Sequence, residues 1–229
     1  RRAQHQRIFA TCLGSLNHYG LGGASQNVSL PKSWMHFQRC TRLYAKTEGE
    51  AAMQSFRAWF LEQMGMYAAY HRDRRNQATH HLGVPLIVFS LILALTQVPL
   101  TYLGSVQLTA ATVALAVLFL GYVVAAPLVG IVTALFYSAA YGLAVQLADG
   151  SDSSLWFITG ACFLGGWIVQ FIGHAFEGRR PALTVNAVQI FMAPPFLIAE
   201  ILFSLGAARA LEEQIQMRAV KYLPKETKA

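Results

Sequence analysis

The chain has 229 residues, of which 55% are hydrophobic and only 13% are charged, and its mean hydropathy is +0.39. Soluble domains carry about 25% charged residues, so this composition excludes a soluble domain. It indicates an integral membrane protein. The net charge of +7 does not indicate nucleic-acid binding, because the basic residues flank apolar stretches, where they favour anionic lipid headgroups. The three cysteines lack CxxC spacing, so neither a disulfide framework nor a zinc finger is predicted.

Residues 1–52 are predicted to be a disordered leader or extension. Up to residue 47 this part has seven Lys or Arg and no Asp or Glu, a composition typical of a transit peptide. The chain does not begin with Met, so Met53 is a candidate start, and the preceding residues are interpreted as a fragment, an extended gene prediction or foreign sequence. Residues 53–229 are predicted to form a single membrane-embedded helical domain.

An amphipathic helix is predicted between residues 51 and 70. Apolar and aromatic side chains recur there at steps of three and four residues, including Trp59, Phe60, Met64 and Tyr67. This period indicates a helix that lies along the membrane surface with its aromatic face toward the lipid.

Two histidines follow this helix in a polar stretch. Asn76 and His80 are four residues apart and share a helix face, whereas His71 is half a turn out of phase with His80. A site shared by both histidines therefore requires a bend in the chain, and we expect residues 73–76 to supply it.

Four apolar segments, at residues 85–103, 107–125, 127–147 and 155–175, are predicted to cross the membrane. Between residues 85 and 148 there is no Lys, Arg, Asp, Glu or His, which is a length sufficient for about three crossings. Arginines precede the first segment and follow the fourth, so the positive-inside tendency places both ends in the cytoplasm. The host membrane is interpreted as a bacterial inner membrane or the endoplasmic reticulum.

An even number of crossings returns a chain to the side from which it started. Four crossings therefore bring His174, at the end of the fourth segment, to the membrane face that holds His71 and His80. A fifth apolar segment, residues 183–208, contains Pro194 and Pro195 and is predicted to be broken there and to return to the same side. The predicted fold is thus an all-α membrane bundle.

Ionisable groups at the rim of an apolar helix are costly there and indicate function. Gln170, His174 and Glu177 are spaced to share one helix face. Together with the earlier histidines they offer the ligands that non-haem iron and zinc use. Alternatively, these side chains cap helices and extend toward the headgroups. Glu177 is interpreted as a ligand, as an acceptor that orients a histidine, or as a general base.

Three polar residues, Asn76, Gln170 and Glu177, are candidate catalytic residues. Arg179 and Arg180 have two interpretations: they are topology signals that stay in the cytoplasm, or they bind the carboxylate of an amphipathic substrate.

Two motifs in the chain resemble the membrane family of 2-hydroxy fatty acid dioxygenases. The first, at residues 70–85, contains Tyr70, His71, Asn76, His80 and the sequence Gly83-Val84-Pro85. The second, at residues 170–183, begins with Gln-Phe-Ile-Gly-His and includes Glu177, Arg179 and Pro181. The fungal members of this family act in the conversion of phytosphingosine to odd-numbered fatty acids.

The resemblance implies an Fe(II)-dependent α-oxidation. A long-chain 2-hydroxy fatty acid would lose its carboxyl carbon with O₂ as the oxidant, and His71, His80 and His174 would bind the metal. The partners would be that acid, O₂ and membrane lipids. Two alternatives remain: a zinc-dependent lipid hydrolase that uses the same ligands without O₂, and a lipid-binding membrane protein without enzymatic activity.

Overall fold

The computed structural model describes residues 32–148, 152–178 and 186–223. These residues are mostly helical. The helices are α1 (Lys32–Tyr70), α2 (Arg74–Thr96), α3 (Ala110–Ala125), α4 (Pro127–Ala148), α5 (Asp152–Glu177), α6 (Gln189–Ser204) and α7 (Arg209–Ala219), with strands β1 (Pro99–Leu103) and β2 (Val106–Thr109) and a 3₁₀ turn at Val220–Tyr222. The chain divides into two compact units, one that ends at Phe56 and one that begins at Arg57.

Helix α1 is longer than the sequence pattern predicts. It has 39 residues and begins at Lys32, whereas the sequence pattern predicts a helix that starts at residue 51. The physical reason is local: from Ser33 to Glu48 the sequence contains neither Pro nor Gly, and nothing in it interrupts the helical hydrogen bonds.

Among the described residues, three helices are long and apolar enough to cross a membrane: Arg74–Thr96, Pro127–Ala148 and Ser154–Glu177. This finding fits the predicted membrane bundle. Helices α3 and α6 are apolar but shorter, at 16 residues each, so by length the structure supports three of the four predicted crossings.

A β-hairpin precedes α3, an element that the all-α prediction did not include. Strands β1 and β2 pair antiparallel, with Leu103 opposite Val106, and Gly104 has a φ of +63° in the turn that joins them. That left-handed conformation suits glycine. The apolar segment predicted at residues 107–125 therefore begins as a strand, and Thr109 then caps α3 through a hydrogen-bonded capping box with Thr112.

Helices α2 and α5 pack closely along most of their length. Glycines at the contact allow this: a Cβ added at Gly166 would lie 2.9 Å from the Gly83 carbonyl oxygen. A Cβ at Gly173 would overlap the Thr79 hydroxyl and lie 2.6 Å from Asn76 Oδ1. The backbones can approach only because these side chains are absent.

The two helices are antiparallel, so the pair has a near end and a far end. The near end contains the start of α2 and the last turns of α5. The far end contains the end of α2 and the start of α5, where a buried apolar cluster forms. Its members are Ile92, Leu93, Ala111, Tyr137, Ala144 and Leu155. This cluster joins α2, α3, α4 and α5 and forms the apolar core of the bundle.

Helix α6 continues through its two prolines, so the predicted break at that point is wrong. Pro195 cannot donate a hydrogen bond to the carbonyl of Phe191. The hydroxyl of Tyr122, on α3, donates to that carbonyl instead, at 2.6 Å. A neighbouring helix thus replaces the hydrogen bond that proline removes, as apolar surroundings require.

Candidate metal centre

His71 lies in the short break between α1 and α2. Its ring stacks on Tyr67 with 3.9 Å between ring centroids, and its Nδ1 is 2.8 Å from the Tyr67 carbonyl oxygen. A carbonyl only accepts hydrogen bonds, so Nδ1 carries the proton and Nε2 is bare in the neutral ring. Burial lowers the pKa of His71 well below its ordinary value, and the neighbouring His80 acts in the same direction.

His80 lies in the second turn of α2 and is held in the same manner. Its Nδ1 donates to the carbonyl oxygen of Asn76 at 2.9 Å, which again leaves Nε2 without a proton. The break in the chain predicted near residues 73–76 occurs at residues 71–73, and Asp73 caps the start of α2 by accepting from Arg75 N.

The two bare nitrogens face each other. Nε2 of His71 is 3.1 Å from Nε2 of His80. Neutral rings held in these tautomers cannot form a hydrogen bond across that gap, because each presents a lone pair. A proton shared between them would make one ring cationic, which burial of His71 disfavours. A metal cation satisfies both lone pairs at once.

His174 reaches the same place from α5. Its ring centroid is 4.9 Å from that of His80 and 5.4 Å from that of His71. One ligand nitrogen from each of the three rings lies within 4.8 Å of the others. Nδ1 of His174 is buried and has no hydrogen-bond partner among the described residues. Three imidazoles with free nitrogens suit Fe(II) or Zn(II), so the donor set fits the metal that the sequence predicts.

Glu177 supports the loop that carries His71. Its carboxylate accepts from the backbone N–H of Arg72 at 3.1 Å and of Asp73 at 2.8 Å, and from the side-chain amide of Asn76 at 3.1 Å. It thus joins the last turn of α5 to the break before α2, and its negative charge lies at the N-terminus of α2, where it is favourable. The metal-capable group of described residues consists of the three histidines without this carboxylate.

The remaining predicted site residues occupy different positions. Asn76 and Gln170 are both buried, and each has a side-chain carbonyl oxygen without a partner among the described residues. Gln170 lies one turn before His174 on α5. Arg179 and Arg180 lie outside the described residues. His81, next to His80, points elsewhere: its Nδ1 donates to the Gln77 carbonyl, and its Nε2 is 3.8 Å from Glu200.

Comparison with known proteins places the region that contains these residues in a known family. The model of the family described as 2-hydroxy-palmitic acid dioxygenase Mpo1-like matches residues 57–205. The chain is 35% identical over 158 residues to the 2-hydroxy-palmitic acid dioxygenase MPO1 of Saccharomyces cerevisiae. The aligned region covers 67% of this chain and 86% of the yeast protein. No solved structure matches. The chain belongs to the Mpo1-like family. The resemblance inferred from its two motifs is thereby confirmed, and the matched region contains all three histidines.

In this Mpo1-like chain His71 lines two cavities, and His80 and His174 line the apolar one of them. An apolar cavity of about 330 Å³ extends from His71, His80 and His174 between α2 and α3. A polar cavity lies on the other side of His71 and is lined in part by Arg74, Gln77, Glu200 and Glu212. One side of the cluster is therefore suited to an acyl chain and the other to water and charged groups.

Sequence reasoning missed the residues of this Mpo1-like site that act through long-range contacts. The sequence pattern predicts Tyr67 only as part of an aromatic face. In the structure it stacks on His71, and its carbonyl oxygen fixes the tautomer of that ring. Gln63 accepts from the side-chain amides of Asn186 at 2.7 Å and Gln189 at 2.9 Å, which joins α1 to α6. The signal that the sequence offers for this pair is a glutamine within the aromatic stretch of the amphipathic helix and another at the start of the apolar α6.

Proposed function

We propose that this chain is an Fe(II)-dependent dioxygenase that converts long-chain 2-hydroxy fatty acids to fatty acids one carbon shorter. One observation supports the proposal above all: two buried histidines with bare nitrogens turned toward each other and a third, partly buried histidine line an apolar cavity. The yeast relative named a 2-hydroxy-palmitic acid dioxygenase supplies the substrate class and the oxidant.

The proposed reaction balances without an external reductant. The bond between C1 and C2 of the 2-hydroxy acid breaks, C1 leaves as CO₂, and C2 becomes the carboxyl carbon of the shorter acid. The electrons lost by C1 and C2 reduce O₂, whose atoms appear in the products and water. Bound Fe(II) would supply the redox chemistry with O₂ that amino-acid side chains lack.

The side chains have separate roles in this proposal. His71, His80 and His174 hold the iron. Glu177 and Asn76 are positioning residues, because they fix the loop and the helix turn that carry two of these histidines. Gln170 is the candidate that faces the substrate, since it lines the apolar cavity beside His174 and its carbonyl oxygen has no partner among the described residues.

Orientation of the substrate follows from the two cavities. The acyl chain lies in the apolar cavity and the carboxylate points toward the polar cavity, where basic residues such as Arg74 line the wall. Arg179 and Arg180 follow α5 directly in sequence, and we propose that they bind the same carboxylate. Exclusion of water from the apolar side strengthens these polar contacts.

The membrane topology that we propose keeps four crossings. Helix α3 spans only about 24 Å at 1.5 Å per residue, and we place the exposed hairpin at its start in the headgroup region, where water can satisfy its strand edges. Both ends of α6 contact residues on the histidine side: Phe191 O accepts from Tyr122, which lines the cavity with the three histidines, and Glu200 lies beside His81. These contacts support an α6 that stays on the histidine side, which we place in the cytoplasm from the flanking arginines.

The experiment uses the full chain in lipid nanodiscs. We expect about one iron per chain after anaerobic loading, and O₂ consumption with 2-hydroxypalmitic acid that yields the acid one carbon shorter. His80→Gln should abolish both, whereas the matched neighbour His81→Gln should retain bound iron. Conversion that continues without O₂ in zinc-loaded protein would instead identify a hydrolase. Protein that binds lipid but neither metal nor O₂ would contradict any enzymatic role.

A further inference from the structure

The apolar cavity is elongated. On α2 its lining residues recur at helical steps from His80 through Ile87 to Leu95, and on α3 they extend from Tyr122 back to Ala111. Ala110 N donates to Val98 O at 2.9 Å, which places the start of α3 beside the end of α2. The cavity therefore follows α2 for roughly 22 Å, from His80 to Leu95, and α3 for about 17 Å, at 1.5 Å of rise per residue.

Polar lining groups are confined to the histidine end of this cavity. His174 and Gln170 lie at the end of α5, and Tyr122 and Gln189 lie where α3 meets α6. Beyond Trp167 the wall is aliphatic, formed by α2 and α3 alone. That part of the cavity offers nothing to a polar ligand, so its occupant must be a hydrocarbon chain.

Small residues of α3 create the space at the far end. Ala111 is fully buried and belongs to the far-end cluster with Leu93 and Leu155, and Ala114 lies one turn closer to the histidines. Leu95 and Leu115 line the cavity at the same end. A larger side chain at either alanine would project into the cavity and shorten the space for a chain.

We infer that this cavity holds the acyl chain of a long-chain acid with its head at the three histidines, and that Ala111 and Ala114 set the longest chain that fits. The inference rests on the proposed function, because it places the head of the ligand at the metal centre. An extended chain advances about 1.2 Å per bond, so roughly 22 Å accommodates about 18 bonds. Acids near the length of 2-hydroxystearic acid fill the cavity.

The test measures affinity as a function of chain length. The full chain in nanodiscs is titrated with 2-hydroxydecanoic, 2-hydroxypalmitic and 2-hydroxystearic acids against a bound fluorescent fatty acid, with and without Fe(II). In Ala114→Phe we expect affinity for 2-hydroxystearic acid to fall about tenfold or more, while affinity for 2-hydroxydecanoic acid changes less than about twofold. The matched control is Val113→Phe, whose side chain is exposed on another face of α3.

A milder variant, Ala111→Leu, guards against misfolding of Ala114→Phe and should weaken only the longest acid. Equal loss of affinity for short and long acids in a variant with an unchanged thermal midpoint would overturn the inference, as would no loss for any acid. Length-dependent binding that persists in protein without O₂-dependent turnover supports the cavity assignment and contradicts only the proposed function.

Discussion

The two ends of the α2 and α5 pair differ in construction although the same helices form both. At the near end, glycines bring the backbones together and polar side chains fill the contact, including Asn76, Gln170 and His174. At the far end, Leu93 and Leu155 pack into a cluster whose buried members are almost entirely apolar. Packing of the two helices thus positions polar side chains for a ligand at the near end and buries apolar side chains at the far end.

The two ends also differ in whether their buried polar groups have hydrogen-bond partners. At the near end, Asn76 Oδ1, Gln170 Oε1 and His174 Nδ1 are buried without partners among the described residues. Each unpartnered buried group costs about 1–3 kcal/mol. Toward the far end, the hydroxyl of Ser90 is also buried, but it donates to the Ile87 carbonyl at 2.7 Å. The far end therefore stabilises the bundle, and the near end holds polar groups that a bound metal and substrate can satisfy.

The largest effect on stability is expected at the far end. Leu93→Ala leaves a cavity in the apolar cluster and should lower the free energy of unfolding by about 2–5 kcal/mol. Metal affinity per folded chain should not change, because Leu93 contacts none of the histidines. Thermal unfolding in detergent and metal analysis measure the two quantities. Leu120→Ala, at an exposed position on α3, is the control, and loss of metal from folded Leu93→Ala protein would refute the separation of the two ends.

Gly173→Ala tests the near end. The added methyl would overlap the Thr79 hydroxyl, so the helices must separate where His80 and His174 meet. We expect a loss of about 1–3 kcal/mol in stability and loss of metal binding, measured by metal analysis after dialysis. Gly165→Ala is the matched control, since no atom lies within 4 Å of its added Cβ.

The double variant Gly173→Ala with Thr79→Ala removes the closest clash and should recover part of the metal binding. If Gly173→Ala alone binds metal as tightly as the unmodified chain, close helix contact is not what assembles the cluster.

Sequence reasoning predicted what depends on local spacing along a helix. The half-turn phase between His71 and His80 predicted the chain break that the structure has at residues 71–73. The shared face of Gln170, His174 and Glu177 predicted their position at the near end. Both inferences hold because helical periodicity fixes direction from sequence alone.

What the sequence did not reveal depends on partners distant in the chain. Glu177 accepts hydrogen bonds from residues about 100 positions earlier, and no local pattern identifies them. Helix α6 continues through Pro195 because Tyr122, on another helix, occupies the freed carbonyl. The sequence pattern did not predict the hairpin that begins with Pro99–Leu103, because apolar residues of this kind are equally typical of a membrane segment.

Glu177→Gln sharpens the near-end interpretation with a smaller change. The amide retains one acceptor oxygen but presents an NH₂ group where Asp73 N and Asn76 Nδ2 now donate. We expect metal affinity to fall about 10- to 100-fold, as for other residues that orient a metal ligand, with a loss of about 1–2 kcal/mol in stability. Calorimetric titration with the metal measures the affinity. Glu213→Gln, at an exposed site on α7, is the control. Equal affinities of the two variants would exclude a positioning role for Glu177.

The smallest effect concerns pH and metal-free protein. Burial lowers the pKa of His71 in the folded chain well below the value of about 6.5 expected when unfolded. Below that pH the unfolded state binds a proton that the folded state does not, so stability falls with decreasing pH by at most about 1.4 kcal/mol per unit. His71→Gln removes this contribution, because glutamine does not titrate. Thermal midpoints measured between neutral and mildly acidic pH with a chelator present should therefore decline less steeply in His71→Gln. Parallel declines in the two proteins would show that His71 is not held neutral by burial, and the argument that a cation must satisfy its bare nitrogen would lose its basis.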